Sequence, residues 1–315
     1  MNNILQDFIE LTKAGLYCRY GDFYLDPQQP VTRAVISHAH GDHAFSGNHQ
    51  VYCTKATQLF MQHRYKKFAA ADFHIINYRE QFSLNGVTIT FYPAGHILGS
   101  AMILMEYSGI KYLYTGDYKT EADDTCESIE FIKADVLITE TTFANPELAH
   151  PNAAEEIRKL NTVESNIMLG AYALGKSQRL IALINQYCPD KKILVHHSIL
   201  PFVHIYEQLG IKLGKYQPYD RKVMKQQLTG NIYIVPPMVF NSYIRAINVV
   251  RVFATGWQHL QKGNGLHLYI SDHVDWQGII KTIEDVNPTE VWTLHGDGNQ
   301  LKNHFENKLV VKILN

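Results

Sequence analysis

Long apolar runs are missing from this 315-residue chain, because charge or glycine breaks every hydrophobic stretch well short of the roughly eighteen residues that a membrane-spanning helix needs. A basic leader is missing as well: MNNILQDFIELTKAG carries acids where a signal peptide carries lysine or arginine, so a cytoplasmic location is expected. Cysteine is scarce. Cys18, Cys53, Cys126 and Cys188 show neither C-x-x-C spacing nor the density of a secreted disulfide scaffold, and they read as reduced core thiols. Neither sign of charge is in excess, since 29 basic against 30 acidic residues leave a net charge of −1. Such a surface does not coat nucleic acid by electrostatics alone, so any anionic ligand must be met by a local site. No repeat, low-complexity tract or Pro/Gly/Ser linker divides the chain. What it has is length and 46% hydrophobic residues, enough for a large core and for one domain with an insertion or two domains.

Histidine departs from this plain composition, with sixteen copies, and their positions carry the argument. Period-two apolar runs ending in glycine or turn residues fill the first half: VTRAVIS, GVTITFY, SAMILMEY, KYLYT and DVLIT read as strands. EYSGIKYLY reads as a hairpin turning at Ser108 and Gly109. From about Asn152 strand and helix alternate, as NIMLG then KSQRLIALINQYC, and KILVHH then FVHIYEQLG, the pattern of a doubly wound α/β insert. Strands return as VRVFATG, LHLYIS and VWTLH, with the helical DWQGIIKTIEDV between the last two.

VISHAHGDHAFSG places His38, His40, Asp42 and His43 directly after a strand, so the turn aims several of them at one point. Neutral imidazole beside carboxylate suits a borderline divalent ion such as zinc, with manganese as the oxygen-tolerant alternative. Four donors spaced so tightly can hardly all reach one tetrahedral ion, which points to two ions sharing the motif. The missing ligands are expected at other strand ends. His96 follows TFYPAG, Asp117 follows YLYTG, Glu140 ends VLIT, His273 follows LYISD and His295 ends VWTL. Any one of these reads first as a structural histidine or a cap; all of them together are hard to assign to packing. Asp26 in GDFYLDP reads equally as an Asp-Pro turn and as a carboxylate that accepts the free ring N–H of a ligand histidine.

HAHGDH resembles the H-x-H-x-D-H motif of the metallo-β-lactamase fold hydrolases, and His96, Asp117 and the preceding Asp26 follow that family's order. Glu140 in ITET, His273 in SDHVD and His295 in LHGDG are similar to motifs A, B and C of the β-CASP nucleases within the family. AYALGKSQRL, residues 171–180, resembles the helix start of their insert, with Tyr172 where phenylalanine is frequent. YCRYGDFYLDPQQPVTRAVISHAHGDHA and ATGW at 254–257 are similar to bacterial DNA ligase-associated exonucleases, whereas histidine at motif C is shared with the RNA-processing branch. The resemblance implies an αββα sandwich at 1–150 and 251–315 with an inserted α/β β-CASP domain at 151–250. It implies one ion on His38, His40 and His96, a second on Asp42, His43 and His295, and Asp117 bridging them. The implied activity is single-strand 5′-to-3′ DNA exonuclease action in repair, with a DNA ligase and a helicase as partners and no membrane. RNA processing is the rival, and a small-molecule hydrolase of the same fold is a weaker alternative that leaves Glu140, His273 and the insert unused. A metal-free nucleic-acid-binding subunit is disfavoured, because every ligand position is filled.

A zinc ion lowers the pKa of its water to about 7, so hydrolysis at neutral pH needs no strong protein base. The 3′-oxygen leaving group still needs a proton, and His273, held by Glu140, is the expected acid. Gly175, Lys176 and Ser177 open a helix, and its free N–H groups with the lysine are expected to take a substrate phosphate. Their likeness to a nucleotide-binding loop is superficial, because the preceding context differs. HRYKKF at 63–68 reads first as a solvated helix face and second as a track for single-stranded DNA. His196 and His197 read as core or cleft wall before phosphate contacts.

Overall fold

The alternating runs of the first half become two sheets in the computed structural model, which describes residues 3–220, 222, 229–242 and 249–314. The first sheet runs β1 (Ile9–Thr12), β2 (Gly15–Cys18), β3 (Phe23–Leu25), β4 (Arg33–Val35), β5 (Asn48–Cys53) and β6 (Ala70–Ile75) in spatial order. The second holds β7 (Gln81–Leu84), β8 (Val87–Pro93), β9 (Ala101–Tyr107), β10 (Ile110–Tyr114), β11 (Val136–Glu140), β18 (Glu290–Leu294) and β19 (Val310–Ile313). Its order is β19-β18-β11-β10-β9-β8-β7, so the chain's last two strands extend a sheet laid down before residue 141, β18 pairing with β11 and β19 with β18.

Side-chain alternation explains why these strands read as nearly continuous apolar runs. In β9, Ala101, Ile103 and Met105 face the first sheet, where they join Phe8, Leu16, Phe23, Leu25 and Val35. Met102 and Leu104 between them face the other way, onto Ile279, Ile283 and Val286 of α4 (Trp276–Val286). The first sheet does the same: Val51 and Cys53 turn outward onto Met61 of α1 (Lys55–Tyr65). The layers are helix, sheet, sheet, helix, and both sheets are buried on two faces. Ser108 (φ 50°) and Gly109 (φ 76°) form the two-residue turn joining β9 to β10, in the left-handed conformation that matches strand twist.

The third sheet is all parallel among its named strands and belongs to a separate compact unit made of Asp123–Thr125 and His150–Asp272. Its order is β14 (Gln217–Pro218), β13 (Lys192–Val195), β15 (Asn231–Val235), β12 (Asn166–Gly170), β16 (Val249–Ala254) and β17 (Leu266–Leu268). Helices α2 (Lys176–Tyr187) and α3 (Leu200–Gln208) alternate with its strands. The sandwich unit consists of the residues up to Ala122, Cys126–Ala149 and those from His273 onward. The insert therefore ends at Asp272, not at residue 250 as the sequence suggested. VRVFATG and LHLYIS read in the sequence as strands of the returning sandwich, but β16 pairs with β12 and β17 with β16, and hydrogen bonding decides membership. Among the described residues, no helix is long and apolar enough to cross a membrane.

Candidate metal centre

Strand β4 ends at Val35, and the loop after it delivers His38, His40 and His43 beside residues from the ends of β8, β10, β11 and β18. Two glycines make the approach possible. Gly116 takes φ 54°, and a Cβ there would lie 2.7 Å from the Ser37 side chain, so the turn into Asp117 closes against the histidine loop only without one. Gly95 takes φ 72° under Lys119 O, where a Cβ would come within 2.4 Å, and it aims the following His96.

The histidine ring nitrogens face one another. His40 Nδ1 lies 3.2 Å from His38 Nε2 and 3.0 Å from His96 Nε2. Asp117 Oδ2 lies 3.6 Å from His38 Nε2 and 3.8 Å from His96 Nε2. Donors held tetrahedrally at 2.0–2.1 Å from a zinc ion are about 3.3–3.4 Å apart, close to this spacing. The other carboxylate oxygen, Oδ1 of Asp117, lies 3.4 Å from His43 Nε2. The two oxygens of one carboxylate thus face two groups of imidazoles, the disposition of a bridging ligand. The His295 ring stands 5.4 Å from that of His43, on a residue with φ 52°. Asp42 is exposed on the turn and joins none of the three metal-capable clusters found among the described residues.

Tautomers are set from behind. Asp26 is 5% exposed, and its Oδ2 accepts from His43 Nδ1 at 2.8 Å and from the Tyr114 hydroxyl at 2.9 Å. Its Oδ1 accepts from Ser37 N at 2.7 Å. The Ser37 hydroxyl donates to Asp26 and so accepts from His38 Nδ1 at 3.0 Å, leaving His38 Nε2 with a lone pair pointed into the cluster. Ser37 and Tyr114 escaped sequence reasoning; the only available signal was a hydroxyl immediately before the first histidine.

Electrostatics set the buried groups apart. Burial, aided by the neighbouring His43, holds the His38 pKa well below the ordinary imidazole value, so the ring stays in the neutral form that binds metal. Burial works against charge on His43 too, but the Asp117 and Asp26 carboxylates outweigh it and lift its pKa well above the usual value. For Asp117, burial is overcome by His43, His273 and His38, and the carboxyl lies well below its usual range.

Beside this cluster Glu140, 1% exposed, accepts from His273 Nδ1 at 2.9 Å and from the Tyr118 backbone N–H at 3.0 Å. His273 is 28% exposed at its side chain and lies 3.8 Å from Asp117 Oδ2 through Nδ1. The carboxylate on Nδ1 fixes the orientation of the ring.

The expected phosphate site at Gly175, Lys176 and Ser177 is corrected by the structure of the insert. Lys176 is 3% exposed, with its ammonium 2.6 Å from Ile270 O and 3.2 Å from Asp272. Ser177 is buried, and its hydroxyl donates to Tyr172 O at 2.7 Å. Gly175 N–H donates to Gln178 Oε1 at 2.8 Å, so the helix start is capped by its own side chain. Arg179 completes a buried network on Ser271 O, Asp272 and Asp123 at 2.7, 3.2 and 3.4 Å.

The sequence pattern of the beta-lactamase superfamily domain matches residues 22–197. A probable DNA ligase of Opitutus terrae is 30% identical over 300 residues, which are 90% of this chain and 28% of that protein. An RNase J-like protein of Methanocaldococcus jannaschii is 31% identical over 58% of this chain and 50% of its own. The cleavage and polyadenylation specificity factor subunit 3 of Dictyostelium discoideum is 32% identical over 56% of this chain and 23% of its own. The chain thus spans at most half the length of these three relatives. Among solved structures, a protein of unknown function from Enterococcus faecalis V583 has a TM-score of 0.60 at 13% identity, covering 92% of this chain and 80% of that one, a likeness of fold alone. Matched over more than half its length by that domain, and carrying its histidines and aspartate in one cluster, the chain belongs to the metallo-β-lactamase superfamily, with β-CASP nucleases among its relatives.

Proposed function

We propose that the protein is a dinuclear metal-dependent nuclease that removes nucleotides from single-stranded DNA, 5′ to 3′, during repair. The observation that carries the reading is the division of Asp117, with Oδ2 toward His38 and His96 and Oδ1 toward His43. His38, His40 and His96 would hold one ion and His43 and His295 the other, with Asp117 contributing to both. When bound, two divalent ions, zinc or alternatively manganese, supply Lewis acidity toward a phosphodiester and hydroxide at neutral pH. The chain's own groups do the rest. Asp26 and Ser37 fix which ring nitrogens are offered, Asp117 keeps its charge in a buried place, and Glu140 orients His273 to deliver a proton to the departing 3′-oxygen.

DNA is favoured as substrate by the relative named a probable DNA ligase, which matches 90% of this chain, and the same likeness supports a ligase as partner. A helicase partner and a cytoplasmic location extend the proposal beyond that likeness. RNA is the second reading, favoured by the relatives named RNase J-like and cleavage and polyadenylation specificity factor. A paired digestion tests both: 5′- and 3′-labelled single-stranded DNA and RNA of one sequence, each with zinc or manganese. The proposal expects DNA to shorten from its 5′ end and RNA to persist. Faster loss of RNA, or cuts inside the strand, would overturn the DNA exonuclease reading.

A further inference from the structure

The basic and aromatic stretch at 63–68 supplies no metal ligand, yet the fold ties it to the loop that does. Arg64 Nη1 donates to Ala39 O at 2.6 Å, the carbonyl between His38 and His40. At the other end of the loop, Gly47 N donates to Phe68 O at 2.9 Å. Between Thr54 and Ala71 stand Lys55, Arg64, Lys66 and Lys67 and no acidic residue, in a chain whose net charge is −1. Phe68 is 67% exposed beneath the Lys67 ammonium, 5.2 Å from its ring centre, and Phe45 on the ligand loop is 36% exposed. Lys66 takes φ 54° and ψ −128°, a conformation free to glycine and strained for lysine, so a charge is kept where the backbone would favour its absence.

We propose that Arg64, Lys66, Lys67, Phe68 and Phe45 form a subsite for single-stranded polynucleotide along the edge of the ligand loop. The lysines and Arg64 neutralise backbone phosphates and the two rings stack bases, the pairing that non-specific single-strand binding uses. The subsite rests on the nuclease reading above and adds which face of the sandwich unit the strand follows. It explains how a nearly neutral protein holds a polyanion: the charge is concentrated beside the reacting centre.

The test is fluorescence anisotropy with the full chain and labelled oligothymidylate or oligouridylate of about twenty residues, phosphorothioate-linked to resist cutting. The Kd should rise about tenfold in Phe68→Ala and more in the double variant Lys66→Glu, Lys67→Glu, with melting temperatures held near the parent's. Replacing both lysines by glutamine should lower the slope of log Kd against log salt by about 1.4. In turnover, preference for the long oligomer over a dinucleotide should fall about tenfold in Phe68→Ala. The two polymers distinguish DNA from RNA at one subsite. A parent that binds and cuts while all variants match it in Kd and salt slope would overturn the subsite alone. A parent that binds in this variant-sensitive way but cuts neither polymer would overturn the nuclease reading and leave the subsite standing. A parent that binds neither would overturn both.

Discussion

Two buried clusters of ionisable groups differ in one respect. In the insert, Lys176 and Arg179 face Asp272 and Asp123, and their remaining donors reach the carbonyls of Ile270 and Ser271, so cation and anion are matched within the chain. In the sandwich unit, His38, His40 and His96 turn ring nitrogens toward one another at 3.0 and 3.2 Å, beside one carboxylate. The first cluster is satisfied by its own members. The second gathers imidazole nitrogens and a carboxylate oxygen close enough together to hold one metal ion. Burial alone marks neither as functional; what separates them is the kind of group each gathers, opposite charges in the one and metal-type donors in the other.

The largest effect should come from removing a donor where metal-type donors gather. His40→Ala should lose bound metal and with it phosphodiester cleavage down to background, measured by elemental analysis and digestion of labelled DNA. His273→Ala should keep its metal and lose about 10²–10⁴-fold in kcat, the range for a lost general acid, which separates ligand from proton donor within one site.

In the insert the same operation should unfold rather than inactivate. Arg179→Ala leaves Asp272 and Asp123 short of a partner and should reduce stability by about 3–5 kcal/mol in urea titration. Removing Lys176 as well, in Lys176→Met with Arg179→Met and both aspartates replaced by asparagine, should recover part of that loss. The smallest effect is expected at the support of the metal centre: Asp26→Asn disturbs the tautomer of His43 and should weaken metal binding about 10–100-fold, read by competition with a chromogenic chelator.

The sequence exposed the histidine cluster more fully than the insert, and the reason is local. His38, His40 and His43 follow one strand so closely that their convergence is visible in the spacing, and residues at strand exits share the edge of a sheet. Asp26 was readable as a histidine partner because its alternative, a turn, does not exclude the contact. Lys176 misled, since Gly-Lys-Ser opening a helix looks the same whether an external anion or Asp272 waits for the ammonium. The boundary at Asp272 was hidden because an apolar strand carries the same pattern whichever sheet receives it. Asp42 was expected among the donors, but proximity in sequence does not turn its carboxylate inward.

Metal stoichiometry by elemental analysis, paired with activity, tests the central claim most directly. The account predicts about two zinc or manganese ions per chain, loss of phosphodiester cleavage on chelation, and its return when either ion is restored. A chain that cuts single-stranded nucleic acid at the same rate after every ion has been stripped would contradict it.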